Sequence, residues 1–234
     1  VNGAATATNL SWSELGIITL SPSVADGDYL GTGNVSGTTS ANVGRFVPDR
    51  FALSAATLTH RANAACSPAS AFTYLGETFR LGFTLTAQNT NGATTQNYGG
   101  SFAKLDPPSA GAWNLAGIAG TTVFATGGAS PRLALGTATG NWNNGVAGGI
   151  TLTAVARRGG SADGPFTASF GVAPVDSDGV AMASHDLDTD QPANGNDRTT
   201  VASVALRFGR LRLANAIGAQ DRPLALPLLA QYWS

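Results

Sequence analysis

Apolar and polar side chains alternate along much of this chain, and no stretch sustains a helical period. The strongest alternation runs from Phe79 to Ala87. There Phe79, Leu81, Phe83, Leu85 and Ala87 share one face, while Arg80, Gly82, Thr84 and Thr86 share the other. Such a strand belongs in a sheet with one face on a core. Burying that face is worth about 6–10 kcal/mol before chain entropy is charged, at ~1.5–3 kcal/mol per large side chain. The same period predicts strands at Phe51-Leu53-Ala55, over 149–155 and over 166–170. It also predicts a strand over 201–213, where the alternation slips at Gly209 as at a β-bulge. Asn89-Thr90-Asn91-Gly92 is a turn signal. Ile17 to Thr19, then Asp26-Gly27-Asp28, then Tyr29-Leu30 predict a hairpin near the start. Pro223 and Pro227 make the last candidate, 224–233, an edge strand.

These elements predict an all-β chain of antiparallel sheets with almost no helix. Residues 31–42 are mostly Gly, Thr, Ser and Asn and read as a linker. Gly44-Arg45-Phe46 is echoed by Gly209-Arg210-Leu211, each leading into a strand. The expected organisation is therefore the end of one β-module plus a linker over 1–42, a central module over 43–198, and the first strands of a following module over 199–234.

Composition narrows the function. The chain has 234 residues, 12% of them charged, with a formal net charge of −1, so net charge gives no field for nucleic acid or an acidic membrane. Thirty glycines amid abundant small polar residues suit short strands and tight turns in an extracellular protein. No apolar run is long enough for a membrane span. The absence of a starting methionine or signal peptide suggests a fragment of a larger protein. Cys66, the sole cysteine, reads as a buried apolar residue or as one whose partner lies elsewhere.

Acidic residues concentrate between Asp176 and Asp197. Asp176-Ser177-Asp178-Gly179 is one burst, and Asp186, Asp188 and Asp190 form another. Crowded carboxylates need water, arginine or a cation. The second burst has the 1, 3, 5 spacing of a calcium loop, with Asp197 at position 12. Gln191 at the glycine position, Pro192 after it and the lack of flanking helices depart from an EF-hand. Two readings stand: an irregular Ca²⁺ site using some of Asp176, Asp178, Asp186, Asp188 and Asp190, or a solvated junction between modules. No cofactor is required by either.

Several ordered motifs carry a family resemblance. Val43-Gly44-Arg45-Phe46-Val47-Pro48-Asp49-Arg50-Phe51, Phe72-Thr73-Tyr74-Leu75-Gly76-Glu77, Asn97-Tyr98-Gly99-Gly100, Asp176-Ser177-Asp178-Gly179-Val180 and Leu206-Arg207-Phe208-Gly209-Arg210 together resemble the MshQ family, as do Trp12-Ser13-Glu14-Leu15-Gly16 and Gln231-Tyr232-Trp233. That family is named for biogenesis of the mannose-sensitive haemagglutinin, a type IV pilus of Gram-negative bacteria. The resemblance implies immunoglobulin-like β-sandwich modules at the bacterial cell surface. It implies partners among pilus or other surface proteins, and no catalytic residues.

The remaining candidates are sparse. Asn141-Trp142-Asn143 is the best sugar-binding candidate, because an exposed indole stacks on a pyranose while amides bridge its hydroxyls. The other reading makes Trp142 a lid on the end of a sandwich. Glu14 and Glu77 are the only glutamates and His60 and His185 the only histidines, and no nucleophile elbow accompanies them. The expectation is a non-enzymatic structural or adhesive module, with a carbohydrate-binding module as the alternative.

Overall fold

The computed structural model describes residues 6–61, 72–190 and 197–233; Cys66, Gln191 and Pro192 lie outside them. Thirteen strands and two single-turn 3₁₀ helices, Gly100–Phe102 and Ala110–Trp113, make up its regular structure. One sheet has four strands: β3 (Arg50–Thr59), β5 (Thr78–Gln88), β9 (Val146–Ala156) and β8 (Leu133–Thr139), in that order. The facing sheet has five: β4 (Thr73–Tyr74), β11 (Thr199–Arg207), β10 (Phe166–Val172), β6 (Ala116–Ala119) and β7 (Thr122–Phe124). Lettered in chain order, these orders are A-B-E-D and A′-G-F-C-C′. This is the immunoglobulin arrangement of two antiparallel sheets, with β4 parallel to β11 as the one exception.

The period-two pattern explains the core. All five apolar residues of β5 from Phe79 to Ala87 are buried, as are Ile150, Leu152 and Ala154 of β9. From the facing sheet come Ala168, Phe170, Val204 and Leu206. Immunoglobulin domains commonly pin strands B and F with a disulfide. Here Phe79 and Phe170 occupy those strands with ring centroids 4.9 Å apart. Such an aromatic pair adds about 0.5–1.5 kcal/mol beyond its burial. Gly117 makes room for it, because a Cβ there would meet the Phe170 ring at 2.6 Å.

Three expectations change. β1 (Gly16–Ile18) pairs with β2 (Val43–Phe46) and not with Tyr29-Leu30. The turn at Asp26-Gly27 instead belongs to a loop closed by the Ser23–Ser36 bridge. The sparse apolar positions of 19–42 supply no face for a second strand to bury. β1 also joins a residue range expected to precede the module to one expected inside it. Likewise β11 crosses the expected border at 198/199, pairing with β10 from Phe166–Leu206 to Val172–Thr199. The acidic segment is thus the loop between neighbouring strands of one sheet and not a junction between modules. Finally, Gly209 marks a change of sheet and not a bulge: β11 ends at Arg207, and β12 (Gly209–Leu213) pairs with β13 (Leu228–Tyr232) as a separate ribbon.

Strand direction fixes the two ends of the sandwich. β3 begins with Arg50 opposite Gln88 and finishes with Thr59 opposite Arg80. β11 runs the same way and finishes beside Thr73 and Tyr74, just ahead of β5. The chain therefore comes in at one end, here called proximal, and leaves at the other, distal. The eleven residues of β5 set their separation at about 37 Å, at ~3.4 Å per residue. The β1–β2 ribbon sits at the proximal end and the β12–β13 ribbon at the distal end.

Candidate functional site

The aspartates and the Asn141-Trp142-Asn143 candidates lie among three loops at the proximal end. These are the loop from β5 to β6, the loop from β8 to β9 that carries Asn141-Trp142-Asn143, and the loop from β10 to β11 that carries the aspartates. The topology forces this, since each loop starts and finishes at the proximal ends of its strands: β8–β9 and β10–β11 join neighbours in one sheet, and β5–β6 crosses between the sheets. Loops so placed present contacts on a rigid scaffold.

The first acidic burst is a knot of hydrogen bonds. Asp176 is 6% exposed. One carboxylate oxygen accepts the backbone N–H groups of Asp178 and Val180, both at 2.9 Å. The other accepts the hydroxyl of Tyr98 at 2.7 Å. Tyr98 is wholly buried, and its oxygen accepts N–H bonds from Lys104 and Leu105, each 3.2 Å. Burial and the bond to the Asp176 carboxylate push the Tyr98 hydroxyl well above its ordinary pKa of 10.0. One phenol thus ties the β5–β6 loop to the β10–β11 loop. Asp178 pairs with Arg45 of β2, fastening the ribbon to the same loop.

The second burst divides. Asp186 accepts the N–H of Thr200 at 2.7 Å. Burial tends to raise its pKa, but the hydrogen bonds from Thr200 prevail and hold it below the usual 3.8. Asp188 and Asp190 instead gather with Asp197, all three within 4.8 Å through one carboxylate oxygen each. These donors are of the hard-oxygen type that suits Ca²⁺. Arg198 is already there, 2.8 Å from Asp197, and also bonds Thr189. The five aspartates from which an irregular Ca²⁺ site was expected to draw fall into separate places: Asp176 and Asp178 with Tyr98 and Arg45, Asp186 on Thr200, and Asp188 and Asp190 beside Asp197.

Trp142 is half-buried over the proximal core. Its indole N–H donates to the Leu105 carbonyl at 2.9 Å, and its ring stands edge-on to Tyr98 at 4.6 Å. Phe51 lies 5.6 Å away. Asn141 and Asn143 are exposed. The polar edge of the indole is thus occupied within the protein, which is the lid arrangement. His60 is bonded to Thr73 at the distal end, where burial lowers its pKa from 6.5. His185 is exposed on the β10–β11 loop, at the other end. Glu77 and Glu14 are likewise at opposite ends.

Residues 14–202 match the family profile described as DUF6701, third domain. The chain belongs to this family. The matched span takes in the β1–β2 ribbon and the sandwich to the middle of β11, and leaves the β12–β13 ribbon outside. No curated protein and no solved structure matches the chain.

In this DUF6701 chain, residues that composition did not single out share with Asp176 and Asp178 the work of holding the proximal end together. Glu14 accepts the N–H groups of Gln96 at 2.7 Å and Asn97 at 3.0 Å. Asn89 donates to the Ser13 carbonyl at 3.0 Å, and Leu15 is buried in the core. An isolated glutamate ahead of a weak strand carries no sequence signal of this role. Tyr98 stood in a motif noticed only for its resemblance, because one tyrosine in a glycine-rich loop says nothing about what its hydroxyl will meet.

Proposed function

We propose that the chain is a non-enzymatic spacer module of a larger MshQ-like protein on the surface of a Gram-negative bacterium, serving at or near a pilus. The observation that carries this reading is the opposite placement of the points where the chain comes in and leaves. A sandwich threaded this way adds its full length to a string of modules. The proximal loops bond to the β1–β2 ribbon, and this stiffens one joint of such a string. The resemblance of the ordered motifs to the MshQ family supplies the pilus context, and with it partners among pilus or other surface proteins.

The test is a module swap in the parent protein. An unrelated immunoglobulin-like module of equal length should preserve surface attachment, and deletion of residues 14–207 should impair it. Loss of attachment on the equal-length swap would refute a spacer and favour recognition by this module itself. A glycan array comparing the wild type with Trp142→Ala separates the alternative. The spacer reading expects no glycan signal that the substitution removes.

A further inference from the structure

Charge on this chain is sorted by end. The topology places eleven of the fourteen carboxylates, but only four of the thirteen cations, at the proximal end or on the ribbon attached to it. The other three carboxylates and nine cations are at the distal end. A formal net charge of −1 therefore divides into −7 and +6. The proximal end carries the aspartates of the β10–β11 segment with Asp49 and Asp106, and the ribbon attached to it carries Glu14, Asp26 and Asp28. Distally, Arg61 and Arg132 pair with Glu77 and Asp163. Arg158, Arg207, Arg210 and Arg212 enter no ion pair among the described residues.

Exposed apolar side chains are sorted as well. Trp12, Ile17, Leu20 and Tyr29 are exposed at the proximal ribbon, and Leu211, Leu213, Leu228, Leu229, Tyr232 and Trp233 at the distal one. Among the described residues, no large apolar side chain is exposed on the flat faces of the sandwich. Apolar surface gathered in patches marks an interaction site. Both ends also offer concave relief. A groove of about 680 Å³ at the distal end runs between the ribbon and the sandwich, with Tyr74, Arg158, Arg210, Leu211 and Gln231 along it. A smaller one of about 300 Å³ at the proximal end is lined by Leu15, Ile17, Phe46 and Phe102.

We propose that copies of this chain dock head to tail, the basic β12–β13 end of one on the acidic proximal end of the next. The partner that fits each end is the opposite end of the same molecule: opposite in charge, alike in bearing an apolar two-stranded ribbon. Complementary potentials speed and orient the encounter, and the ribbons supply apolar contact once water is displaced. Such a contact is heterologous, leaving a free end at each side, so it builds open strings and not closed pairs. The proposal rests on the spacer reading for its biological use, and adds that the spacer recognises its own kind.

Sedimentation velocity of the full chain, from about 1 μM to about 500 μM at low and high salt, tests it. Screening shortens from ~30 Å at 0.01 M to ~6 Å near 0.3 M ionic strength. The expected result is elongated species growing past the dimer at low salt, with the association constant at least about tenfold weaker at 0.3 M. Arg210→Glu with Arg212→Glu lowers the formal charge of the distal end from +6 to +2 and turns its ribbon acidic, and Asp188→Lys with Asp190→Lys lowers that of the proximal end from −7 to −3. Each variant alone should associate at least about tenfold more weakly, and an equimolar mixture should recover association into pairs through the unchanged ends, the basic end of the lysine variant on the acidic end of the glutamate variant. Circular dichroism at high salt confirms that each variant is folded. If the lysine variant fails to fold, Asp26→Lys with Asp28→Lys on the ribbon loop replaces it. A monomer at every concentration overturns the proposal. So does a compact dimer that grows no further, association indifferent to salt, or a distal end that binds a polyanion such as heparin without self-association. None of these outcomes bears on the module swap, which tests the spacer reading separately.

Discussion

Replacing Tyr98 by phenylalanine removes one oxygen and leaves the ring and its packing in place. That oxygen donates to buried Asp176 at 2.7 Å and accepts from two backbone N–H groups at 3.2 Å. Asp176 keeps its two N–H partners on the other oxygen, so the carboxylate is weakened and not orphaned. A hydrogen bond to a charged group is worth about 1.5–3 kcal/mol, and the two deprived N–H groups add to that, so a loss of about 2–4 kcal/mol is expected. Urea unfolding should show it as a lower midpoint at unchanged slope. Thermal unfolding should shift by roughly 5–12 °C for a chain of this size. The pH dependence supplies an independent check. The folded pKa of Tyr98 is raised, so its contribution is whole below the ordinary pKa of 10.0 and is lost as pH rises through and beyond that value. Tyr98→Phe should therefore flatten part of the alkaline loss of stability. A change under about 0.5 kcal/mol, or an alkaline limb unaltered by the substitution, would refute the view that this phenol joins the two loops.

Glu14→Ala should loosen the proximal ribbon, because both carboxylate oxygens accept backbone N–H groups of the β5–β6 loop. Amide exchange over residues 14–18 and 43–46 should quicken by about five- to tenfold while the β5 and β9 amides are unaffected, corresponding to about 1–1.5 kcal/mol. At the second acidic group Arg198 already pairs with Asp197, and the expected outcome is that chelator leaves the melting midpoint in place and calcium titration gives no saturating heat; a saturable rise in midpoint with calcium would contradict this. Arg198→Ala should destabilise by about 1–3 kcal/mol, since it strips a charged hydrogen-bonding partner from Asp197 and Thr189.

The sheets were legible in the sequence wherever one face is buried. Strand β5 reads directly as Phe79 to Ala87 because each alternate side chain meets the core, and β9 and β10 read almost as clearly. Legibility failed where pairing partners are remote or burial is slight. β1 has three residues and a partner beyond a loop of more than twenty, so local turn chemistry at Asp26-Gly27 gave the wrong mate. The acidic segment looked like a border because its composition changes abruptly. A long loop between adjacent strands changes composition in the same way, and only the pattern of Val201, Val204 and Leu206 facing the shared core decides between them. The site was half legible. The aspartates and Trp142 were found, but the phenol, the glutamate and the arginines that engage them come from distant strands. Net charge misled in a similar way: −1 is a sum over two ends, and sequence order interleaves what the topology separates.

The central claim is that the chain passes through the sandwich from one end to the other. Spin labels at Val47→Cys and Arg212→Cys, with Cys66→Ser, measure this directly by electron double resonance. The account predicts one main distance near 40 Å, from about ten strand residues at ~3.3 Å each plus the offset of the ribbon. A main distance near 20 Å or less, placing both sites at the same end, would contradict it.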